Sequence, residues 1–125
     1  MRLNPDCVRD ILLSVEKHST IEKRTHLSDF ESDKLIEKYG LERLLYHVRY
    51  CNEAGLFSDL DSYEDEFDIK DLSPSGHSFL SNIRKDANWE QTKNVAQKIG
   101  SFSLDALKNI ASGVTTAAIN HHLGL

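Results

Sequence analysis

The sequence predicts a mostly helical α+β protein, and three observations predict it. Apolar residues recur at helical spacing in long stretches, most clearly in "LERLLYHVRYCNEAGLF", Leu41 to Phe57. Two short alternating pieces, "LFSDL" and "EFDIKDL", flank an acidic loop and read as one β-hairpin. Only two prolines and six glycines interrupt the 125 residues, so long helices are allowed.

The first helix starts at Asn4. Asn is a good N-cap, Pro5 suits the first helical position, and Asp6 complements the helix dipole. Val8, Ile11, Leu12 and Val15 follow at helical spacing, and His18 to Thr20 closes the helix. "IEKRTHLSDF", with Ile21, Thr25 and Leu27, reads as a brief strand or an extended link. Ser32 or Asp33 caps a short second helix, "DKLIEKYG", which Gly40 ends in a left-handed conformation. In the third helix Leu41, Leu44, Leu45, Val48 and Cys51 form the apolar face, with Arg43, His47, Arg49, Tyr50 and Glu53 mostly off it. Gly55 stops it. Two helices joined by so short a glycine turn match a helix-turn-helix.

The hairpin takes Leu56, Phe57, Leu60, Phe67, Ile69 and Leu72 as strand residues. Next, Ser73 caps and Pro74 opens a helix whose buried side is Phe79, Leu80 and Ile83. Gly76 in its first turn lets that helix sit close to the hairpin backbone. Asn88 caps a helix with Trp89, Val95, Ala96 and Ile99 as apolar positions, and Gly100 ends it. Ser101 or Ser103 caps the last helix, striped by Leu104, Leu107, Ile110, Ala111, Val114 and Ala118. The predicted fold is a winged helix-turn-helix with a small hairpin wing and two additional C-terminal helices. A soft boundary near Lys85 to Asn88 divides a winged-helix domain, 1–87, from a helical extension, 88–125, that packs or dimerises.

Charge is unevenly placed. The net charge is −5, yet Asp29 to Asp71 holds thirteen acids and five bases, net −8. The rest of the chain is mildly basic. A small protein that lives on phosphate contacts shows the reverse balance. Cys7 and Cys51 stand far apart on apolar segments, which suits reduced core residues, with a disulfide or reactive thiol as the alternative. No apolar run is long enough to span a membrane, and "MRLNPDCVRD" is too polar for a signal peptide, so the expected location is cytoplasmic.

Chemistry-bearing motifs are absent, and no enzyme, cofactor or metal is expected. His18, His26, His47, His77, His121 and His122 lack metal-ligand spacing. His77 beside Ser75 and Ser78 is a helix-surface or capping residue rather than part of a triad, whose members come from separate elements. "DLDSYEDEFD" lacks the central glycine and terminal glutamate of a calcium loop. Trp89 reads as packing or as an exposed interface anchor. Ala111, Gly113, Ala117 and Ala118 let helices approach closely, within the chain or in a homodimer.

"LLYHVRYCNEAGLF", the acidic hairpin and "IKDLSPSGHSFL" resemble the winged-helix repressors of bacteria, in order and spacing. A resemblance over nearly the whole chain, carried by "LNPDCVRDILLSVE", "IKDLSPSGHSFLSNIR" and "KIGSFSLDALKNIAS", is to small phage and prophage proteins of Gram-positive bacteria. Those form a domain family of unknown function. This resemblance implies a mobile-element origin and a bacterial cytoplasm, and no activity.

Two binding readings follow. In one, the acidic hairpin docks a basic protein surface through Asp61, Glu64, Asp65 and Glu66. In the other, the helix at 41–54 reads DNA with Arg43, His47, Arg49 and Tyr50, while Arg2, Arg9, Lys17, Lys23 and Arg24 add phosphate contacts. The plain alternative for all these cations is a solvated helix face.

Overall fold

The computed structural model describes residues 1–125. Helix α1 (Pro5–His18) is followed by β1 (Thr25–His26), α2 (Leu27–Ser32), α3 (Leu35–Tyr39) and α4 (Leu41–Glu53). Then come β2 (Leu60–Tyr63), β3 (Glu66–Ile69), α5 (Pro74–Ile83), α6 (Asp86–Ile99) and α7 (Leu104–Leu123). The fold is thus mostly helical with one small antiparallel sheet, ordered β1-β3-β2. The backbone forms two compact units, Met1–His77 and Ser78–Leu125. The sequence-based break at 87/88 falls inside α6.

In the first unit, the Asn4 side chain caps α1 by accepting from the N–H groups of Asp6 and Cys7. Cys7, Val8, Ile11, Leu12 and Val15 then form the buried stripe. That stripe packs on α4, which buries Leu44, Val48 and Cys51. Neither cysteine is disulfide-bonded. Burial pushes the Cys7 thiol up to about 12 and raises that of Cys51 as well, so both stay protonated and unreactive.

The segment between α1 and α4 departs from expectation. Ile21 is fully solvent-exposed, and the strand is Thr25–His26 instead. Thr25 pairs with Ile69 and His26 with Asp68, so β1 closes the open side of β3. The helix expected at 33–40 is α3, and the stretch before it, read as a strand or link, adds a further helix, α2, the two separated where Lys34 takes a left-handed φ of 65°. No glycine or proline marks that break. It is held by tertiary bonds to Asp33 from Ser14 (2.6 Å), Lys17 (2.9 Å) and His18 (2.9 Å). Phe30, just before it, is buried with its ring 5.1 Å from that of Phe67. Gly40 has φ 84° and ψ 150°, a region that only glycine enters readily.

The hairpin is close to its predicted form. Leu60 pairs with Ile69 and Tyr63 with Glu66, and Phe57 bridges to Leu72 outside the strands. Leu56, Phe57, Phe67, Ile69 and Leu72 are all buried. The Ser73 hydroxyl donates to the Gly55 carbonyl at 2.5 Å and accepts from the Gly76 N–H at 3.0 Å, so it caps α5 as expected.

In the second unit α6 begins at Asp86, earlier than the expected Asn88 cap. Its buried stripe is Trp89, Thr92 and Ala96, whereas Ile99, expected inside, is largely exposed. Trp89 is therefore a packing residue, covered in part by the Lys93 ammonium at 5.5 Å. The Ser103 side chain caps α7, which packs on α6 through Leu104, Leu107, Ala111 and Val114. Ala118, expected in that stripe, is exposed. No helix is long and apolar enough to cross a membrane.

Candidate functional site

The two sets of residues singled out from the sequence sit on α4 and on the β2–β3 hairpin, both in the first unit. On α4, Arg43 and Arg49 are exposed and make no ion pair, while Tyr50 is half-buried with its ring 6.2 Å from that of Tyr46. His47 is corrected. It was expected off the apolar face, yet it has no exposed surface. Its Nε2 accepts from the Asn4 N–H at 2.8 Å, and Nδ1 lies 2.7 Å from the Arg43 carbonyl. Both ring nitrogens are thus used internally, and the side chain cannot reach a base edge. Leu41, expected on the buried face, is partly exposed instead.

Helical geometry separates the two arginines. Arg43 and Tyr50 lie seven residues apart on one stripe, which is two turns of helix. Arg43 lines a small hollow with Arg2, Asn4 and Pro5. Arg49 faces the other way, into a cleft of about 320 Å³ between α4 and the hairpin. Glu42, Leu45 and Tyr46 line the α4 wall, and Leu60, Ser62 and Phe67 the sheet wall. Glu64, Asp65 and Glu66 form the rim. The structure therefore brings Arg49 together with three of the four hairpin acids proposed as docking residues. It does not bring Asp61 there.

Asp61 belongs to the opposite face of the hairpin, where the alternation of a strand sends every second side chain. There Arg24 acts as a shared counter-ion. Its guanidinium donates to Asp68 at 2.5 Å and to Asp59 at 2.7 Å, and lies 3.7 Å from Asp61. The Asp59 hydrogen bond is the chief cause that raises the Arg24 pKa, with Asp68 adding to it. Partial desolvation works against the Asp68 carboxylate. Hydrogen bonds from Tyr63, at 3.0 Å, and from Arg24 overcome it and hold Asp68 below its ordinary value.

Arg24 was a candidate phosphate contact in the sequence, and the structure places it otherwise. Lys17 and Lys23 are likewise taken, by Asp33 at 2.9 Å and Asp29 at 3.4 Å. The cations without an ion pair near α4 are Arg2, Arg43 and Arg49. At the hairpin tip, Glu64, Asp65 and Glu66 are exposed and have no cation partner. Glu64 also takes a positive φ of 52°, which turns the chain tightly at that tip.

Elsewhere, His77 is an exposed residue of α5, 3.8 Å from Asp71. No group of three or more His, Cys, Asp or Glu side chains is placed to hold a metal ion.

Comparison with curated proteins and with solved structures finds no match. A family model described as a hypothetical protein family, DUF2513, matches residues 2–103, which takes in everything from α1 through α6 and leaves α7 outside. Over those residues the chain belongs to the DUF2513 family of hypothetical proteins.

Proposed function

We propose that the chain is a non-enzymatic binding protein that docks a basic partner protein through its acidic hairpin. The first unit is read as a winged helix-turn-helix, with α4 in the recognition position and β2–β3 as the wing. The element order and the glycine turn at Gly40 support that reading. A phage or prophage origin and a bacterial cytoplasmic location rest on the resemblance of the sequence.

One observation carries the docking reading. Asp59 and Asp68 are consumed by Arg24, but Glu64, Asp65 and Glu66 project at the tip without an ion pair. Such a tip repels a phosphate backbone and attracts a basic surface. A DNA-binding regulator is the second reading, favoured by exposed Arg43 and Arg49 without ion pairs.

The test compares two ligands, a lysine-rich polypeptide and duplex DNA from the source genome, across a salt series. The natural protein is run beside a variant with Asp61→Asn, Glu64→Gln, Asp65→Asn and Glu66→Gln, and beside Arg43→Ala with Arg49→Ala. A control neutralises Glu22, Glu31 and Glu53 instead. Docking predicts that polypeptide binding drops only in the hairpin variant. Regulation predicts steep, salt-sensitive DNA binding that the hairpin variant retains or improves and the arginine variant loses. That second pattern, with no polypeptide effect, would overturn the docking reading.

A further inference from the structure

We propose that the cleft between α4 and the hairpin receives an extended basic segment of the partner, which adds to the sheet as a fourth strand beside β2. This rests on the docking reading above and specifies how the partner is held.

The sheet order β1-β3-β2 leaves β2 as an edge strand, with no neighbour on its far side. Its pairing parity fixes which backbone groups are free. The Lys70 N–H donates to the Asp59 carbonyl at 3.0 Å, so Asp59 and Lys70 occupy a hydrogen-bonded position of the antiparallel ladder. Two residues on, Asp61 and Asp68 occupy the next such position, and Tyr63 and Glu66 the one after. Leu60 and Ser62 lie between them, and the N–H and C=O groups of those two residues point away from β3. These are the same two strand residues that line the cleft. Leu60 and Ser62 thus offer side chains to the cleft and free main-chain groups to the edge beside it.

The cleft suits side chains as well as backbone. Its walls are apolar, from Leu45, Tyr46 and Val48 on one side and Leu60 and Phe67 on the other. Its rim is Glu42, Glu64, Asp65 and Glu66, against Arg49 and the amino terminus at Met1. A strand paired with β2 sends every second side chain into the cleft and the others to the Asp61 face. Apolar groups and the stems of Lys or Arg meet the walls, and the cationic heads meet the carboxylates. Main-chain pairing of this kind supplies affinity, and pockets for alternate side chains supply specificity. A second copy of the same edge is the wrong occupant, because β2 and its flanks carry Asp59, Asp61, Glu64, Asp65 and Glu66 and no cation, so pairing it with itself sets acid against acid. The acids thus guard the edge against self-pairing. They select a basic strand by the same charge.

The experiment uses a synthetic peptide of alternating lysine and valine, titrated into the full ¹⁵N-labelled chain. A second peptide of the same sequence carries N-methyl groups on the amides that would face β2. The proposal expects shifts at the Leu60, Asp61 and Ser62 amides and at Leu45 and Tyr46. N-methylation is expected to weaken binding by at least about tenfold, the worth of one or two lost hydrogen bonds. Equal binding by both peptides would overturn strand addition and leave the docking reading intact. No binding by either peptide at low salt would overturn both. Binding that shifts only α4 resonances Arg43 and Tyr50 would place the segment elsewhere and overturn this site alone.

Discussion

The backbone N–H of Asn4 donates to Nε2 of His47 at 2.8 Å, tying the start of α1 to the middle of α4. A ring nitrogen that accepts carries no proton, so His47 is the neutral tautomer with its proton on Nδ1, donated to the Arg43 carbonyl. Burial is the main cause that holds this imidazole below its usual value of 6.5, aided by the nearby Arg43 charge and opposed by the carbonyl bond. The unfolded chain therefore takes up this proton before the folded one does. The resulting stability is complete above the unfolded pKa and is lost as pH falls through the folded one. Urea midpoints of the natural protein should decline between about pH 7 and about pH 5, and His47→Gln should remove part of that decline. Parallel curves for the two proteins would show that His47 is not the linked group.

The Gly76 Cα faces the Leu56 carbonyl so closely that an added Cβ would lie 2.2 Å from the oxygen. That oxygen belongs to backbone already fixed by a bond from the Ser73 N–H at 2.9 Å, so it cannot simply move aside. Gly76→Ala should lower stability by about 1–3 kcal/mol or more, by the cost of overpacking. Gly113, inside α7, is the contrast, because a Cβ there meets nothing within 4 Å. Gly113→Ala should raise stability by about 0.5–1 kcal/mol through helix propensity alone. Denaturant midpoints of the two variants test the pair, and shifts of the same sign would contradict the packing argument.

Arg24 is the one cation facing Asp59, Asp61 and Asp68. Replacing it with Gln leaves three carboxylates on one hairpin face with only the Tyr63 hydroxyl and the neighbouring His26 for company. The hairpin should then loosen, and hydrogen exchange at the Lys70 amide, bonded to Asp59, should speed up. Because like-charge repulsion between exposed groups is screened, high salt should restore much of the protection. Exchange that is equally fast at low and high salt would mean the guanidinium acts by packing instead.

Much of this architecture was legible where the signal is local. The Asn4 cap, the Ser73 cap and the alternation through Phe67 and Ile69 all depend on near neighbours, and they stand as read, as does the tight Gly76 approach to the hairpin backbone. The misreadings concern contacts made across the chain. Helix α2 was missed in a stretch read as a strand or link, and it ends at Asp33, whose carboxylate is held from α1 by Ser14, Lys17 and His18. Arg24 lies 35 and 44 residues from Asp59 and Asp68, and no local pattern predicts that pairing. His47 did carry a signal. Leu44, His47, Val48 and Cys51 form an i, i+3, i+4, i+7 set, so the histidine completes the buried stripe. Its polarity argued against burial, and the distant Asn4 N–H that satisfies it was not visible locally.

Helix α7 supplies the last prediction. Its first half is anchored by Leu104, Leu107, Ala111 and Val114, but every residue from Thr116 to Leu123 is exposed. Ile119 and Leu123 are 53% and 67% exposed, beside the small side chains of Ala117 and Ala118. Apolar and small residues together on an outward helix permit close helix–helix approach, and a symmetric pair is the commonest way to cover such a face. We propose a homodimer formed through α7. Sedimentation should therefore show a concentration-dependent dimer, and Ile119→Lys with Leu123→Lys should return it to monomer. Both side chains already face solvent, so the double variant should keep the helical content and midpoint of the monomer. A natural protein that sediments as a clean monomer at high concentration removes the proposal. A dimer that survives the double variant moves the interface off α7.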